Sequence, residues 1–509
     1  MIYLIIQGHT FRYDMEEFLR PYFNKMQIII CESFGEIKED DICIKSCLCI
    51  KEEHYILIMN IHDGKGFVYE DSCEIEVQEQ SLEIFNRIIQ TDKTGAKYLN
   101  KKLKNGLKKQ FFRVLSKYTG RELPWGILTG IRPTSIARDY ISSGVTEAEL
   151  VKIFNDKYYL KEKRAKLLYD IALKEMAVLK ATPPRSVSLY IGIPFCPSRC
   201  VYCSFISQMS SKDPRIMENY VEALTNEIKA VAKLMDTYGK VVQTIYVGGG
   251  TPTALPHYLL EKLMRCIKDN ISFDYISEYT LEAGRPDSIT FEKMDTARKL
   301  GADRVSVNPQ TMNEETLRII GRNHSPMDVL RAFKEAREAG FENINSDIIM
   351  GLPGETLDMF KYTLEKVLSL RPESITLHSL AIKRASRLNQ DYAKFHQNDN
   401  NVLEMSELAF NNTAREGMYP YYMYRQKNIA GNLENTGFCL ANRECIYNIQ
   451  IMGEKQTILA LGAGGISKFV YPNENRLERV ANVKTAEEYI MRINEMIKRK
   501  EKYIEKNNW

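Results

Sequence analysis

Residues 1–70 alternate short apolar runs (MIYLII, QIII, CLCI, YILIMNI) with polar turns such as HDGKG, which predicts a small sheet made of hairpins. From about Ser81 to Val178 the apolar positions recur at helical intervals, as in LEIFNRIIQ, LKKQFFRVLSKY and KRAKLLYDIALKEMAVL. Within this stretch ELPWGILTGIRPTSIARDYI interrupts the period, with Pro124, Gly126, Gly130 and Pro133 around Trp125 and Arg132. The first segment therefore reads as an α/β module with a helical tail, residues 1–182, ending at the linker LKATPPRS.

After Ser188 short apolar strands alternate with amphipathic helices: SLYIGI, then YVEALTNEIKAVAKLM; TIYVGGG, then LLEKLMRCI; EYTLEAG, then FEKMDTARKLG; RVSVNP, then ETLRIIG; INSDIIMGLPG, then MFKYTLEKVLSL; and SITLHSL. Five strand–helix repeats and a sixth strand predict a parallel sheet with right-handed crossovers, short of a full eightfold barrel. The fold class is α/β: an open (β/α)6 partial TIM barrel over residues 186–380, with functional groups at the C-terminal ends of strands. Residues 381–509 mix helix and strand around the run YPYYMYRQKNIAGN and read as an α+β module that covers the substrate and closes the barrel.

Composition narrows the class without changing this outline. The 509 residues, 44% hydrophobic and 27% charged, are those of a globular protein long enough for three units. A net charge of +4, from 70 basic and 66 acidic residues, gives no reason to expect nucleic acid or a membrane surface as partner. No apolar run reaches the ~18 residues of a membrane span, and MIYLIIQGHTFRYDM lacks the basic start of a signal peptide, so the expected location is the cytoplasm. The lysines 97, 101, 102, 104, 108 and 109 fall at helical spacing and read as a solvated face. Eleven cysteines in such a chain are thiols or metal ligands rather than disulfides.

Cys196, Cys200 and Cys203 form C-x3-C-x2-C directly after the strand SLYIGI and before a helix. Three thiolates can hold three irons of a cubane cluster and leave the fourth iron open to a non-protein ligand. A tetrahedral zinc site would need a fourth Cys or His at companion spacing; no second C-x2-C pair follows, and position 192 is Gly. Cys43, Cys47 and Cys49 lie in an apolar strand-like run and read as small buried thiols, and Cys266, Cys439 and Cys445 as structural. TIYVGGG ends in Gly248, Gly249, Gly250, Thr251, Pro252 and Thr253, where glycines allow the backbone to approach a ligand. Glu282, Gln310 and Asp347 sit at or in the next three strands and Arg322 follows the fourth helix, a set suited to ribose hydroxyls and a carboxylate.

YIGIPFCPSRCVYCSF, YVGGGTPT, LEAGRPDSI, RVSVNPQ, GRNH and DIIMGLPGET, in that order, resemble the oxygen-independent coproporphyrinogen III dehydrogenases of the radical S-adenosylmethionine (SAM) superfamily, over about residues 186–470. ELPWGILTGIRPT, HSLAIKRAS and YYMYRQKNIAGNLENTG are similar to signatures of the HemZ-type subgroup, which extends the resemblance weakly across the chain. The resemblance implies a [4Fe–4S] cluster on Cys196, Cys200 and Cys203. It places SAM against Tyr190, Gly249, Gly250, Thr251, Glu282, Gln310, Arg322 and Asp347, and matches a pocket for a second SAM at Tyr202, Ile349, Ala381 and Ile466. Position 205 is Phe where the best-known dehydrogenases carry a fourth Cys, a departure shared with the haem-chaperone branch.

The implied activity is that of an oxidoreductase of porphyrin and heme biosynthesis: oxidative decarboxylation of two propionates of coproporphyrinogen III to vinyls, giving protoporphyrinogen IX. Electrons would come from a donor such as a flavodoxin or ferredoxin. The carboxylates of such a tetrapyrrole need cations, and Lys383, Arg384, Arg387, Arg425 and Lys427 are the candidates, beside Tyr421, Tyr422 and Tyr424. The alternatives are a radical SAM haem chaperone and a methyltransferase using the second SAM. The chaperone branch carries H-N-x-x-Y-W where this chain reads Lys427-Asn428-Ile429-Ala430-Gly431-Asn432.

Overall fold

The computed structural model describes all residues except 24–25, 34–37, 52–53, 76–92, 131, 204–207, 210–213, 382–398, 427–428, 475 and 508–509. The described residues form two compact units, residues 1–131 with 144–167, and residues 132–143 with 168–509.

In the first unit β1 (Ile2–Gln7), α1 (Arg12–Leu19), β2 (Ile28–Ile30), β3 (Ile42–Lys51), β4 (His54–Asp63) and β5 (Val68–Ile75) make a sheet of order β2-β1-β3-β4-β5. Only β3, β4 and β5 are the expected antiparallel hairpins. β1 runs parallel to both neighbours, because α1 returns the chain over the sheet and buries Met15, Phe18 and Leu19. The long helix α2 (Lys93–Thr119) places Leu103, Leu107, Phe111, Val114 and Leu115 in the same core as Leu57, Met59 and Ile61 of β4. Its lysine face is not simply solvated. Lys108 is buried with Nζ on Thr129 Oγ1 at 2.7 Å, Lys104 pairs with Asp14 at 3.0 Å, and Lys109 donates to the Asp156 carbonyl at 2.9 Å. The cysteines of β3 also depart from expectation, since Cys43 is buried but Cys49 is exposed.

The second unit includes α3 (Thr134–Ser142), while α4 (Glu147–Tyr158) belongs to the first and α5 (Glu162–Lys180) carries the chain across. The strand–helix succession then runs β6 (Ser186–Ile193), β7 (Phe195–Cys196), β8 (Gln208–Met209), α6 (Pro214–Thr237), β9 (Val241–Gly249), α7 (His257–Asn270), β10 (Glu278–Gly284) and α8 (Phe291–Lys299). It continues with β11 (Arg304–Val307), α9 (Glu314–Ile319), α10 (Pro326–Glu338), β12 (Ile344–Met350), α11 (Leu357–Ser369) and β13 (Ser374–Ser379). β6, β9, β10, β11, β12 and β13 pair in parallel in that order, the six strands of the partial barrel. One connection differs from the sequence reading. ETLRIIG gives only the short α9, and the crossover after β11 is α10, started by the capping box of Ser325 and Asp328 and burying Val329, Ala332, Phe333 and Ala336.

Past α12 (Asp399–Arg415) the chain adds β14 (Tyr419–Tyr424), β15 (Asn435–Cys439), α13 (Ile446–Gly453), β16 (Ile458–Leu461), β17 (Ile466–Tyr471), β18 (Arg476–Ala481), α14 (Ala486–Met491) and α15 (Ile493–Asn507). β15 lies antiparallel on β13 with β14 outside it, and at the other edge β16 pairs parallel with β6, followed by antiparallel β17 and β18. Among the described residues this segment thus extends both edges of one eleven-stranded sheet. It is fastened by a buried ion pair, Lys500 Nζ to Glu227 Oε1 at 2.7 Å, joining α15 to α6.

Candidate active site

A cavity of about 720 Å3 lies over the C-terminal ends of the parallel strands and reaches down the barrel interior to Arg304, the first residue of β11. Cys196, Cys200 and Cys203 line it, each half-buried. Their loop is pinned from both sides. Cys196 ends β7, which pairs with β8; Val201 N donates to the Ile320 carbonyl at 3.1 Å, and Ser198 Oγ to the Gly321 carbonyl at 2.8 Å. Arg285, at the end of β10, reaches Ser198 Oγ at 2.9 Å and Cys200 Sγ at 3.8 Å, and Thr251 Oγ1 lies 3.5 Å from Cys196 Sγ. Donors aimed at thiolate sulfur stabilise its charge, which suits cysteines that ligate iron.

The glycine run packs more tightly than a generic ligand approach requires. A Cβ on Gly248 would come within 2.5 Å of Glu282 Oε2, and one on Gly250 within 2.6 Å of the Phe195 carbonyl and 3.0 Å of Cys196 Sγ. Gly249 has φ +112°, a conformation open to glycine alone. These glycines bring the end of β9 against the cysteine loop and the Glu282 carboxylate, where any side chain would separate them.

Glu282 is half-buried, and its carboxyl is pushed up to about 7 by desolvation and by Asp347, against the Gly249 N–H and Tyr246 bonds that favour the carboxylate. For Asp347 burial acts upward too, but bonds from His378, Asn345 and Thr376 outweigh it and hold the carboxyl below its usual value. His378 Nε2 lies 3.4 Å from Asp347 Oδ2, its Nδ1 lies 3.4 Å from Tyr424 Oη, and Asn345 Nδ2 donates to Asp347 Oδ1 at 2.8 Å. Gln310 is held at φ +67°, its N–H on the Asp347 carbonyl and its carbonyl accepting from Ile349 N, both at 3.0 Å. A buried non-glycine residue in the left-handed region is strain of the sort found at functional sites. Arg322 donates from Nη1 to the Asn308 carbonyl at 2.6 Å and from Nε to Tyr202 Oη at 3.2 Å.

The structure brings the three cysteines and Tyr190, Tyr202, Gly249, Gly250, Thr251, Glu282, Gln310, Arg322, Asp347, Ile349, Ala381 and Ile466 to this one cavity. Of the expected substrate cations, Lys383, Arg384, Arg387 and Lys427 lie outside the described residues. Arg425 is buried, donates to Asn432 Oδ1 at 2.8 Å, and does not line the cavity among the described residues. Sequence reasoning missed Arg285, Arg304, His378, Lys468 and a stack of tyrosines. Tyr246 and Tyr447 lie 4.6 Å apart between ring centres, with Tyr190 6.3 Å from each. His378 and Arg285 were accessible by the rule that strand ends carry function; Lys468, on a strand far along the chain, carried no such signal.

A family model of the radical SAM superfamily matches residues 190–367. The chain is 35% identical over 483 residues to the oxygen-independent coproporphyrinogen-III oxidase-like protein HemZ of Bacillus subtilis (strain 168), covering 93% of each chain. It is 33% identical over 283 residues to the heme chaperone HemW of the same organism, 54% of this chain and 69% of that one. The solved structure of HemN, a coproporphyrinogen III oxidase and radical SAM enzyme of Escherichia coli, matches with TM-score 0.52 at 24% identity, over 64% of this chain and 73% of its own, and shows the same fold. With its fold, its cysteine loop and a relative matched nearly end to end, the chain belongs to the radical SAM superfamily, among the HemZ-type coproporphyrinogen oxidase-like proteins, whose cofactors are a [4Fe–4S] cluster and SAM.

Proposed function

We propose that this protein is a radical SAM oxidoreductase that converts two propionates of coproporphyrinogen III to vinyl groups. The observation that carries the reading is the composition of the one cavity. The cysteine loop and the strand-end polar groups share it with a wall of stacked tyrosines and with Arg304 and Lys468, groups suited to a flat ring system bearing carboxylates. Cys196, Cys200 and Cys203 hold the cluster, and Gly249, Gly250, Glu282, Arg322 and Asp347 cradle SAM. Once bound there, the cluster and SAM would supply the hydrogen-abstracting chemistry; each propionate would lose one β-hydrogen and CO2, with its last electron passing to an external acceptor.

The chain's own task is then positional. Tyr190, Tyr246 and Tyr447 offer an apolar face, and the cations fix carboxylates. A flavodoxin- or ferredoxin-type protein fits the need for an electron donor. The test is anaerobic incubation of the reconstituted protein with SAM, a reductant and coproporphyrinogen III, with products separated by chromatography. Vinyl products and 5′-deoxyadenosine support the reading; methylated tetrapyrrole with S-adenosylhomocysteine would replace it with a methyltransferase.

The similarity to HemW favours a second reading, a haem chaperone that keeps the cluster and SAM site. Against it stands the stretch from Lys427 to Asn432, which contains neither the His nor the Trp of that branch's motif. Stable haem binding without porphyrinogen turnover would make this reading the better one.

A further inference from the structure

At and behind one part of the cavity wall, positive charge exceeds what its surroundings balance. Lys468 of β17 lines the cavity beside Met452, Ile458 and Ile466. Its Nζ lies 3.5 Å from Glu454 Oε1, and Arg479 Nη2 of β18 lies 3.7 Å from the same oxygen. Arg132 pairs with Glu454 Oε2. Three cations thus share one carboxylate, and among the described residues no second acidic group lies within ion-pair distance of any of them. Glu454 Oε1 accepts no hydrogen bond, so the Lys468 ammonium beside it keeps its donors for an acceptor in the cavity. The Lys468 side chain is only 18% exposed. Arg479, 56% exposed, is eased by solvent, whereas the largely buried Lys468 ammonium is unfavourable beside these like charges unless an anion completes its surroundings.

The arrangement is built rather than incidental. Glu454 caps α13 with φ 49° and ψ 40°, a left-handed position usually given to glycine. Arg132 is delivered by the RPT turn before α3. That helix is anchored a turn later by Arg138, which is ion-paired with buried Glu175 and donates to the carbonyl of Gly453, the residue before Glu454. Both ends of the sequence Arg132-Pro-Thr-Ser-Ile-Ala-Arg138 therefore converge on the end of α13, which accounts for the grouping of residues 132–143 with the barrel unit.

We propose that Lys468, which lines the cavity, holds one propionate of the tetrapyrrole, and that Arg132 and Arg479 behind it occupy the Glu454 carboxylate that would otherwise compete for the ammonium. This rests on the substrate reading above and adds a role for the segment preceding the barrel. The test is equilibrium dialysis of the reconstituted full-length protein against coproporphyrin III, the stable oxidised tetracarboxylate, with SAM affinity measured in parallel. Lys468→Met and Arg132→Gln should each weaken coproporphyrin binding about tenfold or more, the usual scale for a lost charged hydrogen bond. Lys468→Arg should retain binding, and Glu454→Gln, which removes the competing carboxylate, should tighten it.

Unchanged coproporphyrin affinity in both weakening variants, beside a wild type that binds, overturns the subsite alone. Loss of SAM affinity with coproporphyrin binding intact also overturns it, by assigning these cations to the carboxylate of a SAM molecule. A wild type that binds no coproporphyrin rejects the substrate reading itself. Should Lys468→Met fail to fold, Arg132→Gln and Glu454→Gln decide the matter by their opposite responses, since loosened binding in Glu454→Gln contradicts the proposal.

Discussion

The two sides of the cavity are built on different plans. The cofactor side comes from consecutive strand ends: a cysteine loop after β6, a glycine run ending β9, and Glu282, Gln310 and Asp347 on or just past the three strands that follow. The other side is assembled from distant pieces, with Arg304 from the start of β11, His378 from β13, Tyr424 from β14, Tyr447 from α13 and Lys468 from β17. The first plan repeats one local rule strand by strand. The second depends on the segment after Ala381 being fastened to both edges of the sheet. On the proposed reading, the cofactor side is a property of the parallel strands alone, whereas the substrate side combines residues of those strands with elements added at the sheet edges.

The sharpest way to break that contrast is to remove a cluster ligand. Cys196→Ala, Cys200→Ala or Cys203→Ala should abolish iron–sulfur absorbance and SAM cleavage, because each thiolate lost leaves one iron of the cubane without its protein ligand. Cys43→Ala, in the first unit, should leave iron content unaltered. Iron lost from the Cys43 variant but retained in the other three would move the cluster out of the barrel.

Next in size is the fastening of the substrate side. Glu227 and Lys500 are both fully buried, and Glu227 also accepts from Gly462 N at 2.8 Å, Tyr489 Oη at 2.5 Å and Asn482 Nδ2 at 3.0 Å. Gly462 opens the turn whose Gly464, Gly465 and Ile466 line the cavity. Lys500→Met leaves a buried carboxylate unpaired, which typically costs about 3–5 kcal/mol. Chemical denaturation should show a loss of that order, and the double variant Glu227→Gln with Lys500→Met should recover much of it. A loss below about 1 kcal/mol, the scale of an exposed pair, would mean that this ion pair does not fasten the edge.

The cofactor side offers the third test. Arg322→Ala and Asp347→Ala should weaken SAM binding ten- to a hundredfold with the cluster assembled, as expected when a charged hydrogen bond worth about 1.5–3 kcal/mol is lost. Calorimetric titration with SAM measures it, and unchanged affinity in both variants would show that the strand-end groups do not hold the cofactor.

The contrast between the two sides also explains what was legible in the sequence. The six strands and the cavity residues on them follow from a repeated apolar-strand pattern with polar residues at its ends, a signal local enough to read without a structure. The parallel pairing of β1 was hidden because an apolar run does not reveal the direction of its neighbour. The helix α10 was hidden by its position just past GRNH, where α9 had already satisfied the expected count. Lys468 looks like an ordinary surface charge in sequence, and only the pairing of β16 with β6, and of β17 with β16, brings it to the cavity wall. Lys500 sits in the strongly charged run INEMIKRKEKYIEKN, where nothing distinguishes a fully buried lysine from its exposed neighbours.

The smallest effect separates a binding group from a structural one by pH. Burial and Asp347 raise the Glu282 carboxyl from its ordinary 4.5 to about 7, so the folded chain holds this proton more tightly than the unfolded chain does. As pH rises from 4.5 to 7 the unfolded chain releases its proton first, and the contribution of Glu282 to stability falls across that window and is lost above it. SAM bears an ammonium and a sulfonium charge, and a cation beside a carboxylate favours ionisation, so binding should release this proton. SAM affinity should therefore increase with pH through about 7 and level off above it. For a group of that acidity the ionised fraction goes from roughly 0.1 at pH 6 to roughly 0.9 at pH 8, about a tenfold change in Kd, or ~1.4 kcal/mol. Asp347, held below its ordinary value, is already ionised throughout the range and adds no slope. Glu282→Gln should bind SAM more weakly at pH 8 and show a flat profile. A profile of unchanged slope in that variant would assign the titration to another group and leave Glu282 as packing for the glycine run.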